Sequence, residues 1–441
     1  MIETVRNAWK IPELRKKLLF VVFALLVFRL GSAVPVPFVN GDAFANQINA
    51  MSGTIFSLLG AMNGTAFTYA TVFALGVQPY INSSIIVQLL TIAIPALERL
   101  QKEGGEEGKK KIAAITRYVT VAIAVLQGFG YYTLLKTSGG NVLDTAGVPG
   151  WWAAIVIIVC FTAGSAFIMW LGEQITEFGI GNGISIILFA GILSRAPSMI
   201  QYMVVGVQNW VGQVEGSFKL HPVGVVAILI GMLAMVVFIV FIQNAERRIP
   251  VQYAKRVVGR KMYGGQSSHL PLKVNMTGVM PIIFAQAIAS LPATIGAFVP
   301  SSRTPGSGWY TFLQIFDTTS VFYIVVYFLL ILGFSYFYST MQFNPVEVAN
   351  NLKKNGGFVP GFRPGKPTAD FISKVLNKIT FFGAIYLSVV AIAPIVTGAV
   401  INNQALAIGG TSIIIVVGVA LETVKAMEAQ MLMRHYKGFL E

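Results

Sequence analysis

The sequence predicts an all-α membrane protein, and three observations carry that prediction. Of its 441 residues 55% are hydrophobic and only 11% charged, with a mean hydropathy of +0.70. Ten runs of about 20 apolar residues recur along the chain, each long enough to cross a hydrocarbon core. The Lys and Arg residues are spread very unevenly around those runs. A soluble protein is excluded, so the formal charge of +14 reads first as membrane topology and not as nucleic-acid binding.

The expected spans are 18–36, 71–95, 112–135, 151–171, 180–203, 223–242, 274–298, 320–341, 379–400 and 407–424. The first follows a basic start, is apolar through 18–28 and meets Gly31-Ser32-Ala33, which is also the pattern of a cleaved signal peptide. Arg29 falls near its middle. An arginine there costs about 2.5–3.5 kcal/mol on an insertion scale, so it should face protein or reach outward.

The second span is the most informative. Residues 53–70 are Gly-rich and too weakly apolar to cross, whereas 71–95 is long enough but carries Gly76, Gln78, Pro79, Asn82, Ser83, Ser84 and Gln88. On a helix Tyr80, Ser84 and Gln88 share one face. Broken or polar helix is tolerated in a bilayer where protein buries it or water lines it. This stretch therefore points to a pore, a gate or a binding site. Cys160, the single cysteine, lies in an apolar run, which excludes an intramolecular disulfide and suits packing.

With the N-terminus in the cytoplasm, the opposite face keeps only Lys136, Arg195, Lys219 and Arg303 of the 32 Lys and Arg, Arg29 lying within a span. Both termini are expected inside. Ten spans divide at the external connection 203–222 into two halves of five, 1–205 and 206–441. An odd number per half makes any structural repeat an inverted one.

The loops 246–273 and 342–378 are longer than a helix connection needs. Both are basic, through Arg247, Arg248, Lys255, Arg256, Arg260 and Lys261 in one and Lys353, Lys354, Arg363 and Lys366 in the other. Topology and attraction to anionic lipids account for part of that charge. Residues 251–258 and 261–266 read as two strands around Gly259-Arg260. Gly356-Gly357, Pro360-Gly361 and Pro364-Gly365 place Arg363 at a turn-rich tip, suited to an acidic protein surface or RNA phosphate.

Catalytic patterns are sparse. His221, His269 and His435 have no ligand spacing, and Gly104–Lys110, GGEEGKK, is one residue short of a phosphate loop and lacks its Ser or Thr. No cofactor, metal or catalytic group is expected, so a partner must supply any ATP. The acidic residues lie in loops, termini or span ends, with Glu173, Glu177 and Glu422 nearest to span interiors. An ion-coupled transporter usually carries one at mid-membrane.

Ordered motifs along nearly the whole chain resemble the SecY family, the central channel of the bacterial Sec translocase. They include Phe28-Arg29-Leu30-Gly31 with Pro35-Val36-Pro37, Ala74-Leu75-Gly76 with Pro79-Tyr80-Ile81 and Ser84–Leu90, and Trp170-Leu171-Gly172-Glu173-Gln174-Ile175 with Gly181-Asn182-Gly183-Ile184-Ser185. Further on stand Tyr253-Ala254-Lys255-Arg256, His269–Asn275, Phe343-Asn344-Pro345, Asn351-Leu352-Lys353-Lys354, Phe358–Gly365 and Gly409-Gly410-Thr411-Ser412. The first of these sets displaces the signal-peptide reading.

The resemblance implies an hourglass pore between the halves, a half-helix plug at about 53–70, and a lateral gate between the second and seventh spans. Preproteins and their signal sequences are the implied substrates, at the inner (cytoplasmic) membrane. SecE would clamp the halves, SecG would sit peripherally, and SecA or a ribosome would dock on the basic loops. Relatives often carry Phe-Ser-Gly-Gly in the plug; here Gly60–Phe67 reads differently. Val77 with Ile81, and Ile184 with Leu188, are pairs four residues apart that project from one helix face each. The resemblance adds Ile283 and Ile415 to complete a pore ring. At the seam, Ile86 and Gln88 would face Asn275, Thr277 and Gln286, with weak interhelical hydrogen bonds of about 0.6 kcal/mol. A secondary transporter of a small solute, also built on inverted repeats, is the alternative reading.

Overall fold

The computed structural model describes residues 2–50, 65–102, 104–137, 142–145, 147–194, 196–213, 220–253, 256–258, 261–263, 267–298, 307–316, 320–401 and 410–437. Helix dominates them, with strands confined to the two basic loops. In chain order come α1 (Ile2–Lys10), α2 (Pro12–Gly31), α3 (Gly41–Ala50), a single turn α4 (Thr65–Thr68), α5 (Gln78–Ala93), α6 (Pro95–Lys102), α7 (Gly105–Thr137), α8 (Gly150–Phe178), α9 (Gly183–Leu193) and α10 (Ala196–Val211). After α11 (Pro222–Asn244) follow β1 (Glu246–Tyr253), β2 (Arg256–Val258), β3 (Lys261–Tyr263) and β4 (Ser267–Lys273). The chain continues as α12 (Met280–Ala289), α13 (Leu291–Phe298), α14 (Gly308–Ile315), α15 (Val321–Gln342), α16 (Pro345–Lys354), β5 (Gly357–Phe358), α17 (Lys366–Ile401) and α18 (Gly410–Lys437).

Among the described residues, 6 helical stretches are long and apolar enough to cross a membrane. The pair Gln78–Ala93 and Pro95–Gln101, bent by 105°, makes a possible seventh. Ten spans are not reached by this measure, for local reasons. The start of α2 carries Arg15, Lys16 and Lys17, the seventh region breaks at Ser290, and α18 carries Glu422, Lys425 and Glu428. Arg29 is not near the middle of its helix. Pro12 starts α2 early, and Arg29 falls in the last turn, exposed, where a cation also meets the negative end of the helix dipole.

The largest apolar cluster among the described residues runs from Ala24 and Phe28 on α2 through Ile168 and Ile175 on α8 to Tyr327 on α15 and Leu387 on α17. The two ends of the described chain also meet. Ala8 and Leu14 pack with Ile180 and Met427, Thr4 donates to Glu428 at 3.1 Å, and Lys17 donates to Gln430 at 3.3 Å.

The strands expected in the first basic loop are present in a different arrangement. β2 and β3 form the short hairpin around 259–260, but the main pairing is β1 with β4, in register from Glu246–Lys273 to Gln252–Ser267. β5, from the second basic loop, adds to the other edge of β1 at Gln252 and Tyr253. The two loops thus share one three-stranded sheet. Its strand β1 alternates, Ile249 and Val251 inward and Arg248 and Pro250 outward, as a sheet with one wet face should. The inward side chains join Leu272, Val359 and Ile372 in a separate small core.

Candidate functional site

The second span is broken by design of its neighbours. Residues 72–77 are turns, and helix begins only at α5, with Pro79 in its first turn. In lipid such backbone needs partners from within the protein, and each side supplies one. Val72 N–H donates to the Val34 carbonyl at 3.0 Å, and the Ser165 hydroxyl donates to the Gly76 carbonyl at 3.2 Å. Tyr131 O–H donates to the Phe67 carbonyl at 2.5 Å. Gly164 is required here, since a Cβ on it would overlap the carbonyl oxygen of Val72. Residues 53–64 of the expected plug lie outside the described residues; 65–70 form α4 and a turn.

The six side chains expected to form the pore ring come from four helices. Val77 caps α5 and Ile81 follows one turn on; Ile184 and Leu188 lie on α9, Ile283 on α12 and Ile415 on α18. Five are buried members of the central cluster and Ile184 packs against it. The position of Ile184 is set by a tight α8–α9 junction. Asn182 caps α9 by accepting from the N–H groups of Ile184 and Ser185 at 3.1 and 3.3 Å, and Thr176 Oγ1 accepts from Gly183 N–H at 2.9 Å.

A cavity of ≈ 160 Å³ opens beside this collar. Leu188, Ile283 and Ile415 line it, together with Ser185, Thr277 and Glu422. It lies toward the end of the bundle that carries the sheet, because Met276–Gly278 follow β4 and Gln342 ends α15. The wall is apolar at the collar and polar toward the loops.

At the expected seam α5 packs against α12. Ile86 is exposed and Gln88, like Tyr80 and Ser84, half-buried. The hydrogen bonds, however, run elsewhere than expected. Gln88 Oε1 accepts from Tyr338 O–H of α15 at 2.6 Å. Asn275 donates to the Gly278 carbonyl at 3.1 Å, and Thr277 donates to Asn275 at 3.3 Å, so these two stabilise their own turn. Gln286 is buried. Tyr338 also stacks on Phe284 of α12, with ring centroids 4.8 Å apart. It therefore bridges α5 and α12, a residue that sequence reasoning missed. The available signal was a tyrosine hydroxyl in an apolar span, which needs a partner.

Of the expected docking residues, those on β1 and around β5 belong to the loops joined by the three-stranded sheet. Arg247 and Arg248 are exposed on β1, and Arg248 is paired with Glu246 at 2.7 Å. Lys353 and Lys354 stand in the last turn of α16. Arg363 is exposed in the turn held by Phe362 stacking on Phe371 at 4.2 Å and by the Thr368 hydroxyl donating to the Arg363 carbonyl at 2.8 Å. Arg256 opens β2; Lys255 and Arg260 lie outside the described residues.

Known proteins share both the sequence and the fold. The profile of the family described as SecY matches residues 71–424. The chain is 43% identical over 453 residues to the protein translocase subunit SecY of Streptomyces coelicolor, covering 100% of both chains. The solved structure of a protein-conducting channel aligns with a TM-score of 0.65 at 16% identity, covering 95% of this chain and 92% of that one. Sec61 in the canine ribosome–channel complex from the endoplasmic reticulum aligns with a TM-score of 0.61 at 16% identity, with the same coverage of 95% and 92%.

Proposed function

The chain belongs to the SecY family and is a multi-pass protein-conducting channel; from that premise we propose that unfolded preproteins cross between its halves, 1–205 and 206–441, through the six-residue collar. The observation that supports this reading is that five of the six belong to one buried apolar cluster, against which Ile184 packs, and that a cavity is lined by three of them, Leu188, Ile283 and Ile415. A collar of branched apolar side chains excludes water when empty and so blocks ions. It holds no fixed polar group that would bind a passing chain.

Sideways release follows from the same physics. An apolar segment gains roughly 25 cal/mol per Å² on leaving water, so an opening between α5 and α12 sorts segments into lipid without fuel. The ten spans lie in the inner membrane with both termini in the cytoplasm, as the basic loops favour, and 53–70 forms the plug. SecE clamps the halves, SecG sits at the periphery, and SecA or a ribosome docks on the platform that presents Arg363; anionic lipids meet its remaining charge. A small-solute transporter is not favoured, since the relatives are translocase subunits.

The test is electrical. Ile81→Asn with Ile415→Asn should wet the collar and raise resting ion conductance in planar bilayers while relaxing the demand for a strong signal sequence. Conductance equal to that of the unmodified channel, in a folded double variant, places the seal elsewhere. At the platform, Arg363→Glu should abolish SecA-driven export, because a reversed charge at a docking tip repels an acidic partner; unchanged export removes Arg363 from docking.

A further inference from the structure

The cavity beside the collar has one ionisable group in its wall, and it is an acid in a strongly basic protein. Ile415, Val419 and Glu422 follow one another along one face of α18, and Asn182, Ser185 and Leu188 do the same at the start of α9. The first of each series to meet a chain arriving from the loops is the polar one. Glu422 lies seven residues beyond Ile415, about 10 Å along the helix axis, and is exposed. Its carboxylate lies against a glycine. Gly278 adopts φ +63, and a Cβ there would stand 3.2 Å from Glu422 Oε1. Lys273 and Lys425 are near enough to act on the charge, so an incoming cation would exchange with them.

We propose that Glu422 is a specificity-determining residue of the channel: an anionic subsite at the pore mouth that pairs with Lys or Arg side chains flanking the apolar segment of an entering preprotein. The inference rests on the channel reading. An apolar segment that advances to the collar leaves its flank about two helical turns behind, level with Glu422. A basic flank is held there and stays on the loop side. A neutral flank has no such partner, and an acidic one is repelled. The effect complements the basic platform outside, which favours anionic surfaces.

The test uses the full chain co-expressed with the rest of its translocase, and two reporter preproteins that differ only in a Lys-Lys or Gln-Gln pair before the apolar segment. The advantage in processing of Lys-Lys over Gln-Gln should fall about twofold to fivefold in Glu422→Gln, the range of a partly exposed ion pair, and recover in Glu422→Asp. An undiminished advantage in Glu422→Gln overturns the proposal. Processing of the Gln-Gln reporter by the unmodified chain reports the channel alone, so its failure counts against the channel and not against Glu422. If Glu422→Gln does not accumulate, Ser185→Cys in a Cys160→Ala background gives a second measurement. Disulfide capture of a cysteine placed beside the flank should be greater for Lys-Lys than for Gln-Gln, and equal capture overturns the proposal.

Discussion

The two helices that face each other at the seam, α5 and α12, are held in opposite ways. The approach to α5 is tied to neighbouring main chain, through Val72 to Val34, Ser165 to Gly76 and Tyr131 to Phe67. The approach to α12 has one main-chain tie outside its own turn among the described bonds, Val274 N–H to the Ala245 carbonyl, and otherwise bonds within that turn, through Asn275 to Gly278 and Thr277 to Asn275. Beyond that turn α12 is seated by apolar side chains, among them Phe284 against Tyr338. Main-chain bonds inside a membrane protein are expensive to leave unmade, whereas side-chain packing can shift between rotamers. By this measure the approach to α5 is the more firmly held of the two.

The largest expected effect comes from locking α12 to α5. A cysteine pair at Ile86 and Ile283 should cross-link and block signal insertion, with recovery on reduction; failure of any cross-link between these two helices breaks the comparison. Next is the cost of disturbing each helix at its glycine contact. Gly164→Ala drives a Cβ into the carbonyl oxygen of Val72, a residue whose N–H is held by the Val34 carbonyl, and should cost about 3 kcal/mol, at the upper end for overpacking. Gly418→Ala meets side chains alone, Val279 Cγ2 and less closely Gln243 Nε2, and should cost about 1 kcal/mol, at the lower end for overpacking. Thermal unfolding in detergent measures both, and equal losses would show that the two sides are equally rigid. The smallest effect is that of Tyr338→Phe. Removing its bond to Gln88 should weaken closure by about 0.6 kcal/mol, seen as roughly threefold better processing of a weak signal sequence, with no further gain from adding Gln88→Leu.

Much of this was legible in the sequence because membrane topology is written in composition and period. Apolar length marks the spans, and the spacing of Val77 with Ile81 and Ile184 with Leu188 marks inward faces. The resemblance to SecY then supplied the expectation of which face lines a pore. Other features left no local trace. β5 has only 2 residues, Gly357 and Phe358, too few for any alternation, so the union of the two loops was invisible. Gln88 and Tyr338 are 250 residues apart, and a glutamine's choice between Asn275 and a tyrosine depends on helix rotation that periodicity does not fix. The break of the seventh region at Ser290 follows no strong breaker until Pro292, and Glu422 reads as a span-end charge until the cavity places it.

The shared sheet has a mechanical meaning. β4 runs directly into the turn before α12, where Val274 N–H donates to the Ala245 carbonyl at 2.9 Å, and β5 couples the same plate to α16 and α17. A load applied to the loop that carries Arg363 would pass through paired strands, which resist extension, to the turn that precedes α12, so the two basic loops and the base of that helix are coupled by a few residues of β-structure.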